Sequence, residues 1–157
     1  MTISIEKATP NDAELLHKLQ IKAFLPLLEK YQDHQTNPAC EPTDKTLERI
    51  NSSSRGFYKI KKDDHLVGAI VIKHSSPSSI WIGPIFVDPD FQNQKIAQKV
   101  MILIENLFPH IKKFELATLS QETGNIHLYQ KLGYKLTNRK EKVNDLLDLV
   151  FFEKIKH

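Results

Sequence analysis

The apolar positions of the chain alternate between a period of two and a period near 3.6, and each switch marks an element. Ile3, Ser4 and Ile5 alternate and read as a first strand. A helix start follows: Thr9 suits the N-cap, Pro10 the first helical position, and Asp12 stands three residues after the cap. Leu15, Leu16, Leu19, Ala23 and Leu27 then recur at helical spacing. Pro26 is expected to kink or break this helix, because it lacks a backbone donor and its ring crowds the preceding turn. Residues 31–42 are polar and hold two prolines, which predicts a loop bordering a pocket. A short helix over 43–51 carries Leu47 and Ile50 on one face.

Three strands are predicted next, over 57–61, 66–72 and 80–87, with turns at Asp63-Asp64 and across 75–79. Gly83-Pro84 interrupts the third. Proline cannot donate to a ladder and glycine within a strand marks a bulge, so the strand should bend there. The clearest helix spans 94–108, with Ile96, Val100, Ile104 and Leu107 as its buried stripe. A strand over 114–119, a short helix over 125–132 closed by Gly133, and strands over 134–137 and 147–152 complete the order βααβββαβαββ.

The length of 157 residues fits one domain spanning 1–157. Its 40% apolar and 26% charged content is that of a globular chain, which excludes a disordered one. A net charge of +3 suits an anionic small molecule. Without a lysine and arginine stripe interleaved with aromatics, it argues against a nucleic-acid partner. Cys40 is the single cysteine, so no intramolecular disulfide forms. No apolar run approaches the roughly 20 residues of a membrane helix, and the N-terminus is no signal peptide, so the expected compartment is the cytoplasm, with no membrane partner.

The chemistry concentrates between the third central strand and the strongest helix, in Val87-Asp88-Pro89-Asp90-Phe91-Gln92-Asn93-Gln94-Lys95-Ile96-Ala97. A turn entering a helix presents free backbone N–H groups, and the helix dipole adds to their pull on an anion. Gln92, Asn93, Gln94 and Lys95 add polar donors, and a pyrophosphate is the natural occupant; an ordinary polar connection is the alternative.

This run resembles the acetyl-CoA signature of the GNAT acetyltransferase superfamily, a strand ending in Val-x-Pro followed by Gln/Arg-x-x-Gly-x-Gly/Ala and a helix. Val87, Pro89, Gln92, Ile96 and Ala97 stand in register with it. A second block, Leu128-Tyr129-Gln130-Lys131-Leu132-Gly133-Tyr134, resembles the family's Leu-Tyr-x-Lys-Leu-Gly-Phe/Tyr segment. The resemblance implies an α+β fold, a mixed and mainly antiparallel twisted sheet of about seven strands with four helices. It implies acetyl-CoA as co-substrate, with no metal, and transfer of the acetyl group to a primary amine of a small molecule or peptide by direct attack. A non-catalytic acyl-CoA sensor of the same fold is the alternative, and a homodimer is compatible with either.

By the same resemblance, backbone groups near Ile85, Phe86 and Val87 bond the pantetheine arm in a gap between two splayed strands. Gln92, Asn93, Gln94, Lys95, Ile96 and Ala97 wrap the pyrophosphate, and Tyr129 protonates the leaving thiolate. Asn93 and Lys95 depart from the family's glycines. Lys95 is therefore expected to have an ordinary φ in a helix that begins early, its ammonium either meeting a phosphate or remaining solvated. Asn125 either reaches the coenzyme or caps its helix. Tyr31, Asp33 and Asn37 occupy the loop that would border the acceptor. Candidate bases are Glu29, Asp33, Glu41, Glu122 and His74, and Trp81 is core or pocket wall.

Overall fold

Burial alternates residue by residue along the strand Lys113–Leu119: Phe114, Leu116 and Thr118 are buried on one face, while Lys113, Glu115 and Ala117 are half-buried on the other. That strand lies near the middle of the sheet in a computed structural model that describes residues 1–156. The elements are β1 (Ile3–Lys7), α1 (Ala13–Tyr31), α2 (Thr43–Asn51), β2 (Arg55–Lys62), β3 (His65–Ser76), β4 (Ser79–Val87), α3 (Ile96–Leu107), β5 (Lys113–Leu119), α4 (Thr123–Lys131), β6 (Lys135–Asn144) and β7 (Leu147–Ile155). The strands form one seven-stranded sheet in the order β1-β2-β3-β4-β5-β7-β6. Every pairing is antiparallel except β4 with β5. The fold is α+β, as the element order predicts.

Two apolar layers cover the two faces. Ile70, Ile72, Ile80, Ile82, Phe114 and Leu116 pack beneath Val100, Met101 and Ile104 of α3 and Tyr129 of α4. Phe57, Ala69, Val71 and Phe86 pack beneath Leu16, Leu19 and Ala23 of α1 and Ile50 of α2. Lys22 fastens α1 to the end of β4, with its ammonium 2.9 Å from Asp88 and 2.9 Å from Asp90. Among the described residues no helix is long and apolar enough to cross a membrane.

Three expectations change. The helix from Ala13 runs through Pro26 to Tyr31, where Gln32 ends it in the left-handed region. The proline forfeits one hydrogen bond, and the apolar face of α1 keeps the remaining turns in place. β6 runs to Asn144, seven residues beyond the predicted end at 137. Arg139, Lys140, Glu141 and Lys142 are polar on both sides of the strand, because it is the sheet's outer edge, so alternation gives no signal there. The third change concerns the turn before α3.

Candidate active site

The turn leaving β4 begins with a 3-10 segment, Pro89–Phe91, whose first N–H groups are steadied by Asp88: its carboxylate accepts from the Asp90 amide at 3.0 Å. Asn93 and Lys95 then both adopt left-handed backbone, φ 63° and φ 60°. Lys95 thus does not have the ordinary φ expected of it, and α3 begins at Ile96 rather than at 94. The chain's path here demands the glycine-like conformation whatever residue stands in it, at about 1–2 kcal/mol for a residue with a Cβ, less for asparagine. In this conformation the amides of residues 93–98 find no acceptor among the described residues. They are a row of free donors at a helix N-terminus, an arrangement that binds phosphate. Lys62 of β2 braces the turn by donating to Gln94 Oε1 at 2.5 Å, its ammonium 5.4 Å from the Phe91 ring centre. Lys95→Gly should therefore raise stability by about 0.5–1 kcal/mol, read as a higher urea midpoint with an unchanged m value.

β4 opens away from β5. The two pair only at residues 79–81, Ser79 with Lys113, Ile80 with Phe114 and Trp81 with Glu115. Beyond Trp81, Gly83 takes φ 146°, and the register with β3 shifts from Ile72 opposite Ile82 to Ile70 opposite Ile85, one extra residue in β4. This is the bend expected at Gly83-Pro84. Ile85, Phe86 and Val87 remain paired to β3, and among the described residues no strand pairs with their other edge. Gly68 of β3 sets how closely β4 approaches there: a Cβ on it would fall 2.1 Å from the Phe86 carbonyl oxygen.

On the α3 face of this gap, Tyr129 is buried, its ring 6.2 Å from Tyr134 and 6.1 Å from Phe152 between centres. Burial pushes its phenol up to about 12. Its hydroxyl has no hydrogen-bond partner among the described residues, whereas that of Tyr134 donates to Glu105 at 3.1 Å. Asn125, one turn before, donates to Thr118 of β5 at 3.3 Å and does not cap α4.

On the α1 and α2 face the gap opens into a cleft of about 660 Å³. Gly83 and Ala117 form its lips, Trp81 and Phe151 its floor, and Arg55, Lys73, Arg139 and Glu141 its charged walls. Tyr31, Asp33 and Asn37 are not among the lining residues. Tyr31 donates to Glu122 at 2.6 Å, and Asn37 donates to Asp33 at 3.1 Å and accepts from the Ala39 amide at 2.7 Å. The loop is pinned to α1, since Gln20 donates to the Pro38 carbonyl at 2.8 Å. Of the candidate bases, Glu41 is held by both guanidinium nitrogens of Arg49 at 2.7 and 2.9 Å, whereas His74 lines the cleft, its ring centre 5.5 Å from that of Phe108. Glu29 lies exposed on α1. Sequence reasoning missed Arg55, Lys73, Arg139 and Glu141. The last two sit in the part of β6 that polarity concealed.

The model of the Acetyltransferase (GNAT) family matches residues 18–134, from α1 to the residue after Gly133. The chain belongs to the GNAT acetyltransferase family. No curated protein matches it. Solved structures share the GNAT fold at low identity. A PaiA N-acetyltransferase from Thermoplasma acidophilum in complex with coenzyme A has a TM-score of 0.75 at 15% identity, with 99% of this chain and 100% of that one covered. A spermidine N-acetyltransferase chimera of Vibrio cholerae SpeG and hSSAT gives 0.78 at 15%, covering 99% and 96%. The ribosomal-protein-S18-alanine N-acetyltransferase of Escherichia coli gives 0.76 at 13%, covering 98% and 94%.

Proposed function

We propose that this GNAT chain moves the acetyl group of acetyl-CoA to a primary amine by direct attack in a ternary complex. The observation that supports the reading is the gap between β4 and β5: the turn of free amides follows the end of β4, Tyr129 packs in the apolar layer on one face, and the cleft opens on the other. Acetyl-CoA supplies the activated acyl group as a thioester. The chain fits it: the free amides of Asn93, Gln94, Lys95, Ile96 and Ala97, with the Gln92 side chain beside them, would receive a diphosphate, and the unpaired edge at Ile85, Phe86 and Val87 offers main-chain groups to an amide-bearing arm. The amine enters from the cleft. The similar structures that acetylate a polyamine and a protein alanine support nitrogen as the acceptor atom.

An amine of pKa about 10.4 is neutral in only one part in 10³–10⁴ at pH 7, a barrier of roughly 4–5 kcal/mol. Tyr129, pushed up to about 12, stays a neutral donor throughout the working range. Against a thiol near 8.5, full proton release costs roughly 5 kcal/mol, so the phenol serves first as a hydrogen bond to the departing sulfur and parts with its proton only as that charge develops. Non-glycine residues at 93 and 95 would favour the non-catalytic sensor if they closed the turn. Their left-handed backbone keeps the turn open to an anion and removes that argument.

Calorimetry with acetyl-CoA, followed by thiol release across an amine panel, tests the reading. Saturable binding and amine-dependent release are expected; binding without release on any amine class would leave the sensor in its place.

A further inference from the structure

Resting on the acetyl-transfer reading, we infer that the acceptor is an amine bearing an anionic group, carboxylate or phosphate, which Arg55 and Lys73 hold at the far end of the cleft. The two residues are direct cross-strand partners on β2 and β3, so their side chains leave the same face side by side. Like charges placed directly opposite repel, and neither has a carboxylate within ion-pair distance among the described residues. The other cleft cations are satisfied: Arg49 by Glu41 at 2.7 Å and Arg139 by Glu141 at 2.7 Å, the latter guanidinium also 4.0 Å from the Phe151 ring centre. Glu115, next along the same sheet row, lies 3.9 Å from Lys113. The carboxylates that could have received a polycation, Asp33 and Glu122, bond Asn37 and Tyr31.

The position of the pair fixes the shape of the ligand. Lys73 lies opposite Trp81 on β4, and Trp81 precedes the lip at Gly83 by two residues. Two residues along a strand and one strand across place Lys73 roughly 8 Å from the gap, and Arg55, one strand farther, roughly 12 Å from it. The apolar floor of Trp81 and Phe151, with rings 5.9 Å apart, lies in the same cleft. The acceptor is thus short and bipolar, with its amine at the gap and its anion a few bonds behind.

Calorimetric titration of the CoA-saturated protein tests this directly. The probes are 4-aminobutyrate against 4-aminobutanamide, O-phosphoethanolamine against ethanolamine, and spermidine. The anionic member of at least one pair should bind about ten- to hundredfold more tightly than its neutral partner, and spermidine more weakly than either. The pair that shows the larger ratio identifies carboxylate or phosphate. Arg55→Gln and Lys73→Gln should each collapse the ratio to within a few-fold. Neither should lower the melting temperature, since each removes one of two facing like charges. Equal affinity for anionic and neutral partners, tighter binding of spermidine, or an undiminished ratio in both variants would overturn the inference. Thiol release on the same probes separates the two readings: anion preference in binding with no release defeats acetyl transfer and leaves the anion site standing.

Discussion

Replacing Tyr129 by phenylalanine is expected to lower kcat about 100-fold while leaving the affinity for CoA within a few-fold. General acid assistance contributes about 10²–10⁴ in rate, and the lower end applies because burial pushes this phenol up to about 12, well above the thiol it serves. The ring's packing on Tyr134 and Phe152 survives the change, and the lost hydroxyl bonds nothing in the protein, so the melting temperature at pH 7 should not move. Alkaline stability supplies an independent reading. The phenol's folded value lies above the ordinary value near 10, so the folded state holds the proton longer than the unfolded state does. The associated stability is complete below pH 10 and is lost as pH rises from 10 towards 12, by about 3 kcal/mol in all. In Tyr129→Phe that share of the alkaline loss disappears. Tyr134, also held up by burial and then by Glu105, keeps its own. Urea melts at pH 8 and pH 11 measure the difference, and a kcat within threefold of wild type would remove Tyr129 from the chemistry.

Gly68→Ala should cost about 3 kcal/mol and weaken CoA binding about tenfold. The added methyl would lie 2.1 Å from the Phe86 carbonyl oxygen and 3.0 Å from the Val87 Cα, both main-chain atoms that cannot swing aside. Overpacking usually costs 1–3 kcal/mol, and the upper end applies where backbone must move. The displaced segment is the stretch of β4 that borders the gap, so the loss of stability and the loss of affinity should arrive together. Gly124→Ala is the control: its new methyl meets nothing within 4 Å at the start of α4, and helix propensity favours it by up to about 1 kcal/mol. A Gly68→Ala protein that melts like wild type would show that the strands are not held at this distance.

The fold was legible because its buried elements carry clean periodicity: α3 with Ile96, Val100 and Ile104, β5 with its strict alternation, and the bend at Gly83. The turn of free amides was legible from its place between a strand and a helix. What failed there was Lys95, whose side chain argued for an ordinary φ while the chain path imposed a left-handed one. Of the cleft, Trp81 and His74 were legible and the charged walls were not. Continuing the pairing of Lys62 with His65 from the Asp63-Asp64 turn would set Arg55 opposite Ile72; a bulge between Ile60 and Lys61 moves it to Lys73. No residue type announces that one-residue slip, yet it decides which face Lys73 shares with Arg55. The loop residues Asp33 and Asn37 looked available because polarity implies exposure, but they are buried and satisfy each other.

Among the described residues, the main-chain seam between the two leaves of the sheet is confined to residues 78–81 of one and 112–115 of the other. A change in aperture beyond that seam is a rotation about it and breaks no rung of either ladder. Resistance to such a rotation comes from contacts that touch both leaves, such as Trp81 against Phe151 and the bonds from Tyr31 to Glu122 and from Asn144 to the Tyr31 carbonyl. The molecule is therefore stiff within each leaf and compliant between them, so a thicker or thinner acyl group would be accommodated by pivoting rather than by remodelling either half.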